Sequence, residues 1–198
     1  MEDIEKEISK ISVERELNEH FLTNRQLFLW GSVDNAIAER LIKRMLFLSA
    51  KSDDDITLFI NSPGGIINSG MAIYDAMQAV PCDIATVVQG QAASMASVLL
   101  AAGAPGKRYA WDHATVMIHQ PLISGTFYGQ ATDVEIHAEQ MLRVKRQMNE
   151  ILAKHTGQDI ATIERDTDRD NFLSASEAKE YGLIDQVLTN RTDASATK

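Results

Sequence analysis

Cysteine is nearly absent: Cys82 is the only one in 198 residues. A lone cysteine excludes an intrachain disulfide and a thiolate zinc cluster, and it suits a reducing compartment. Positive charge is also short, with 19 Lys and Arg against 28 Asp and Glu and a net charge of −9. That balance argues against nucleic acid or an anionic membrane as the main partner, because both favour basic patches. No run approaches the roughly 18 apolar residues that a membrane span needs. The opening residues, Met1-Glu2-Asp3-Ile4-Glu5-Lys6-Glu7, are acidic and lack the basic and apolar segments of a signal peptide. Repeats and interdomain linkers are missing too. The expectation is a cytoplasmic protein made of one domain, with neither nucleic acid nor membrane as partner.

What is present is an alternation of strands and helices, which argues for a single α/β domain. Residues 1–25 are polar, with Ile4, Ile8 and Ile11 as a weak apolar stripe, and read as a short docking helix or a flexible arm. Gln26–Trp30 reads as a strand stopped by Gly31, and a helix starting near Asp34 carries Ile37, Leu41, Ile42, Met45, Leu46 and Leu48. A solvated turn at Asp53-Asp54-Asp55 precedes a strand at 56–60. A helix with Met71, Ile73, Tyr74, Met77 and Val80 ends before Pro81, and a strand follows at 84–88. Short strands are expected at 108–110 and 115–118, and a loop at 123–129. A long charged helix at about 131–154 is stopped by Gly157. Ser174-x-x-Glu177 reads as a capping box for a helix ending near Gly182. A last strand is expected at 183–188, before a small, polar, disordered tail.

Two turns stand out. Asn61-Ser62-Pro63-Gly64-Gly65 ends one strand, and paired glycines there allow positive φ and close backbone approach. Gly90-Gln91-Ala92-Ala93-Ser94-Met95-Ala96-Ser97 follows the next strand and leads into a buried helix at 97–102. Ser94 projects at that turn, in front of a helix N-terminus whose free N–H groups suit an oxyanion. It is either a nucleophile or a helix cap, since serine serves well as both. His119 ends an apolar strand and could accept the serine proton. His20, His113, His137 and His155 lie in polar stretches and are expected to be solvated. An acid cluster downstream supplies an orienting carboxylate, and spacing alone does not choose among Asp166, Asp168 and Asp170. A serine, a histidine and an acid together are the parts for acyl transfer.

At these residues the sequence resembles the proteolytic subunit of the Clp protease, the ClpP family. The matching pieces are Ile60-Asn61-Ser62-Pro63-Gly64-Gly65, Gly90-Gln91-Ala92-Ala93-Ser94-Met95 and Val116-Met117-Ile118-His119-Gln120-Pro121. Further matches are Gly129-Gln130-Ala131-Thr132-Asp133, His155-Thr156-Gly157-Gln158, and the stretch from Glu164 through Asp185. The resemblance covers about residues 26–189. It implies a crotonase-like α/β fold of repeated β-β-α units, with the long helix protruding as a handle between two stacked seven-membered rings. It also implies Ser94 as nucleophile, His119 as base and Asp170 as orienting acid. The N–H groups of Gly65 and Met95 would form the oxyanion hole, and Asp168 and Arg169 would make contacts between rings. An AAA+ ATPase would deliver unfolded proteins, while short peptides would be cleaved unaided. The chain itself would need no metal and no cofactor, ATP being used by the ATPase.

Several positions depart from the family pattern. Ser94-Met95-Ala96 replaces Ser-Met-Gly, Trp111-Asp112 replaces a common Leu-Pro, and the loop at 123–128 is about two residues longer. Residues 1–25 do not resemble the family's axial segment, and Thr57 and Ala79 stand where aromatics often line the ATPase docking pocket. These changes leave the Ser-His-Asp set intact and suit a divergent second copy. The alternative is therefore a regulatory or weakly active partner subunit in a mixed assembly. An acyl-CoA hydratase or isomerase on the same fold is disfavoured, because no carboxylate pair accompanies the Gly65 turn.

Overall fold

The computed structural model describes residues 2–122 and 129–189, and the side chains of all of these except residues 2–12. The readings made for 123–128 and for the tail at 190–198 lie outside the described residues. Three helices alternate with the first strands: α1 (Glu2–Thr23), β1 (Gln26–Trp30), α2 (Asn35–Ser49), β2 (Ile56–Ser62), α3 (Ile67–Ala79) and β3 (Ile84–Ala93). Then come α4 (Met95–Ala101), β4 (Arg108–Trp111), β5 (Thr115–Ile118) and the long α5 (Ala131–Thr156). The chain closes with α6 (Ile160–Asp166), β6 (Asn171–Ser174), α7 (Ala175–Tyr181) and β7 (Gln186–Leu188).

The strands β1-β2-β3-β4-β7 form a parallel sheet in that order. Parallel strands are covered on both faces, and residues 84–88 of β3 are accordingly an unbroken buried run, apolar except for Thr86, whose hydroxyl donates to Leu100 O. β3 is the branch point. Its residues 86–88 pair with β4, whereas its residues 91–93 pair with β5, which in turn pairs with β6 in antiparallel fashion. Gly90, at φ +91, marks the change of partner, and the amide oxygen of Asn61 accepts from Gln91 N–H at 3.3 Å there. A Cβ on Gly90 would stand 2.9 Å from that oxygen. The strand expected at 84–88 thus runs five residues further and delivers Ser94 directly.

Helix α4 is buried on every side, as its small and apolar sequence Met-Ala-Ser-Val-Leu-Leu-Ala permits. It starts at Met95, two residues before the expected position. Gly70 of α3 makes room for the Met95 side chain, since a Cβ there would lie 2.1 Å from its Cγ. Ala96, at the departure from the family's Ser-Met-Gly, is wholly buried. The polar opening of the chain is a helix of 22 residues, not a short one. Its end is anchored by Phe21 edge-on to Phe28, which stacks on Phe59 at 5.3 Å. Arg25, at φ 55, donates to the carbonyls of Leu48, Ser52 and Asp54.

Three expectations need correction. The acid-rich stretch holds a helix, α6, and a strand, β6, that were not anticipated. The final strand is β7 alone, three residues long, because Gly182 ends α7 in a left-handed turn and Asp185 is held by Arg108. His155 is half-buried instead of solvated, at 3.1 Å from the Tyr74 hydroxyl and edge-on to its ring. Arg108, almost fully buried, donates to the His155 and Gly182 carbonyls and forms an ion pair with Asp185.

Burial, with Lys154 and Arg108 adding to it, pulls the His155 pKa from 6.5 down to about 4. Below pH 6.5 the unfolded chain therefore binds a proton that the folded chain refuses. Stability is expected to be full above about pH 6.5 and to decline as pH falls toward 4. Melting temperatures across that window check this, and His155→Gln should flatten the slope. Burial alone would raise the Asp185 carboxyl, but the Arg108 hydrogen bonds outweigh it and hold it below 3.8. Its contribution is therefore lost only at more acid pH than the histidine's.

Candidate active site

Ser94 sits between β3 and α4 with φ 56 and ψ −126, a backbone conformation rare for a side-chain-bearing residue. Its N–H donates to Met117 O of β5 at 2.9 Å, and its carbonyl accepts from Ser97. The side chain does not cap α4: no helix N–H bonds to it. Instead Ser94 Oγ lies 2.8 Å from His119 Nε2. That choice between cap and projecting side chain was open in the sequence.

His119 follows β5 and is nearly enclosed, its side chain 11% exposed. Its Nδ1 lies 2.8 Å from Asp170 Oδ1. The antiparallel register, Ile118 opposite Asn171, brings the acid segment alongside the histidine. A carboxylate only accepts, so the pair puts the imidazole proton on Nδ1 and leaves the Nε2 lone pair facing Ser94 Oγ–H. Asp170 is open, with 59% of its side chain exposed. Asp168 and Arg169 do not join this row. They are exposed, and among the described residues the Arg169 guanidinium meets only Asp168, its carbonyl at 3.3 Å and its carboxylate at 3.9 Å. A depression of about 390 Å³ is lined by His119, Gln120, Leu122, Asp168, Arg169 and Asp170.

The Gly64-Gly65 turn packs on the Ser94 turn. A Cβ on Gly64 would meet Ser94 Cβ at 2.8 Å and Met95 N at 2.9 Å. Gly65, at φ +153, is bracketed by Val33 N–H donating to Gly64 O and Ile66 N–H donating to Val33 O, both at 2.8 Å. Neither the Gly65 N–H nor the Met95 N–H has a hydrogen-bond partner among the described residues. For Met95 this follows from its place in the first turn of a helix.

Two polar residues beside this row were missed in the sequence, Gln120 and Lys145, which bond to each other at 2.9 Å. Adjacency to His119 was a signal for Gln120; nothing distinguished Lys145 among the charges of α5. Among the described residues no group of three or more His, Cys, Asp or Glu is placed to hold a metal ion. None of their helices is long and apolar enough to cross a membrane.

A family model for the Clp proteases matches residues 9–191, which takes in every strand of the sheet and both turns of the site. The architecture is accordingly the crotonase-like α/β fold, and the activity that goes with the family is peptide hydrolysis. By this match over nearly its whole length, the chain belongs to the Clp protease family.

Proposed function

We propose that this chain is a serine endopeptidase of the Clp type, with residues 26–189 as its peptidase domain. The observation that carries this is the unbroken row Ser94 Oγ–His119 Nε2 and His119 Nδ1–Asp170 Oδ1, each link 2.8 Å. Ser94 Oγ attacks the scissile carbonyl while its proton passes to His119 Nε2. The oxyanion is received by the Gly65 and Met95 N–H groups, which have no other partner among the described residues. Asp170 stabilises the imidazolium, which then protonates the leaving amine as the C–N bond breaks. Water repeats the sequence on the acyl-enzyme and restores the serine. No step calls for a metal or nucleotide on this chain.

The same reading makes the chain a ring former. Helix α5 has 26 residues and so spans about 39 Å. Val134, Ile136 and Leu142 are exposed along it, as is Phe172 of β6, and apolar residues left in the open on a protruding element favour burial against other subunits. Two stacked heptamers, with α5 and the Asp168-Arg169 pair between them, would accept unfolded protein from an AAA+ ATPase. Thr57 and Ala79 supply no ring where the family often has one, whereas Phe59 fits the pattern and packs with Val87, Tyr109 and Leu188, so an ATPase would dock on that face with fewer aromatics at those two positions.

Mass determination in solution, with fluorogenic-peptide turnover on the same fractions, tests this. A mass near fourteen subunits with turnover is expected. A single inactive ring, or an inactive tetradecamer, contradicts it and favours the partner-subunit reading.

A further inference from the structure

A second row of hydrogen bonds runs beside the first, and the peptidase chemistry does not use it. The Gln120 N–H donates to Thr167 O at 2.6 Å. Its side-chain Nε2 donates to the Asp168 carbonyl at 2.7 Å and to Asp168 Oδ1 at 3.2 Å. Its Oε1 accepts from Lys145 Nζ of α5 at 2.9 Å. An ammonium only donates and a carbonyl only accepts, so these two neighbours allow the Gln120 amide one orientation.

One turn along α5, Asn149 is 2% exposed and faces Thr167, which is fully buried. Asn149 Oδ1 and Thr167 Oγ1 are 3.5 Å apart, and Asn149 Nδ2 has no partner among the described residues. The Thr167 hydroxyl proton already goes to Ile163 O at 2.7 Å. Turned over, the Asn149 amide would donate to Thr167 Oγ1, and both demands would be met. Lys145 and Asn149, four apart on one face of α5, therefore both bear on the segment that leads to Asp170.

That segment needs a hold. Asp170 is largely exposed, and its neighbour Arg169, 87% exposed, reaches only the adjacent Asp168 among the described residues. After Asp170 the chain is fixed by the β5–β6 pairing; before it, Thr167 and Asp168 are held by the last carbonyls of α6, and Gln120 adds the contacts that tie them to the His119 side of the site.

We infer that Gln120 and Lys145 are positioning residues: through Gln120, Lys145 ties α5 to the segment carrying Asp170 and so holds that carboxylate on His119. The inference rests on the peptidase reading. It makes the placement of α5 a determinant of turnover, with no contact between α5 and substrate.

Steady-state kinetics on a short peptide, with the assembly mass recorded alongside, test it in wild type, Lys145→Met, Lys145→Arg, Gln120→Glu and Ser94→Ala. Lys145→Met should keep the wild-type mass and KM while kcat falls about tenfold, the scale of one hydrogen bond acting on a transition state. Lys145→Arg, which keeps a donor, should restore most of kcat. Gln120→Glu keeps the Lys145 contact but loses the donor to Asp168, so it should lower kcat as well. Wild-type kcat in either Lys145→Met or Gln120→Glu overturns the inference while leaving the peptidase reading intact. A Lys145→Met defect that Lys145→Arg does not repair, or one accompanied by loss of assembly, also overturns it. Turnover in Ser94→Ala equal to wild type would overturn the peptidase reading itself.

Discussion

Ser94→Ala is expected to abolish peptide hydrolysis, with kcat/KM falling by at least about 10⁴-fold, because on the proposed reading no other group in the row can form the acyl-enzyme. The fold should survive unharmed. The Ser94 side chain does not cap α4, and its one hydrogen bond among the described residues is to His119. Its backbone at φ 56 is strained for alanine as much as for serine. Glycine adopts that conformation freely, so Ser94→Gly should be equally inactive yet melt at the wild-type temperature or slightly above it. Activity lost together with a higher melting point is the signature of a nucleophile held in a costly conformation for its function. Peptidase assays and thermal melts on the two variants decide this. Residual turnover within tenfold of wild type in either variant would exclude Ser94 as the nucleophile.

Asp170→Asn is expected to lower kcat by about 10²- to 10³-fold. An amide nitrogen turned to His119 Nδ1 would be a donor facing a donor, so the ring would shift its proton to Nε2 and lose the lone pair that Ser94 needs. Where the triad aspartate is buried, this change costs about 10⁴. Asp170 is more than half exposed, so water screens its charge and the asparagine can rotate to offer its oxygen instead. The smaller loss follows from that exposure. The variant should keep its mass and be acylated slowly, not fail to be acylated. A loss under about threefold would mean that Asp170 does not orient His119, since a single ordinary hydrogen bond already accounts for more.

Features set by neighbouring residues were legible in the sequence. The Ser94 turn, the Gly64-Gly65 turn and the end of β5 at His119 each depend on a strand followed at once by glycine, small residues or a polar stop. The capping box at Ser174 and Glu177 is local in the same way and is formed, with both hydrogen bonds present. Asp170 was different. Its place opposite His119 comes from the pairing of β5 with β6 across 51 residues, and spacing left three aspartates open until family resemblance singled out one. The same distance hid His155, which reads as a solvated residue until Tyr74 and Arg108 arrive from far along the chain. The helix α6 and strand β6 are seven and four residues long, too short for periodicity to show through a run of charges. The split of the sheet at β3 was illegible for a further reason. Gly90 looks like the end of a strand, and what lets that strand continue past it comes from elsewhere in the chain: β5 pairs with residues 91–93 and the Asn61 amide oxygen accepts from Gln91.

The most direct test of the account is covalent labelling with a fluorophosphonate, followed by intact-mass and peptide-level mass spectrometry. One adduct per chain, on Ser94, is expected in assembled wild-type protein, with slower labelling in Asp170→Asn and none in Ser94→Ala. An assembled, folded protein that takes up no label, or that carries it on a residue other than Ser94, would contradict the assignment of this chain as a serine peptidase.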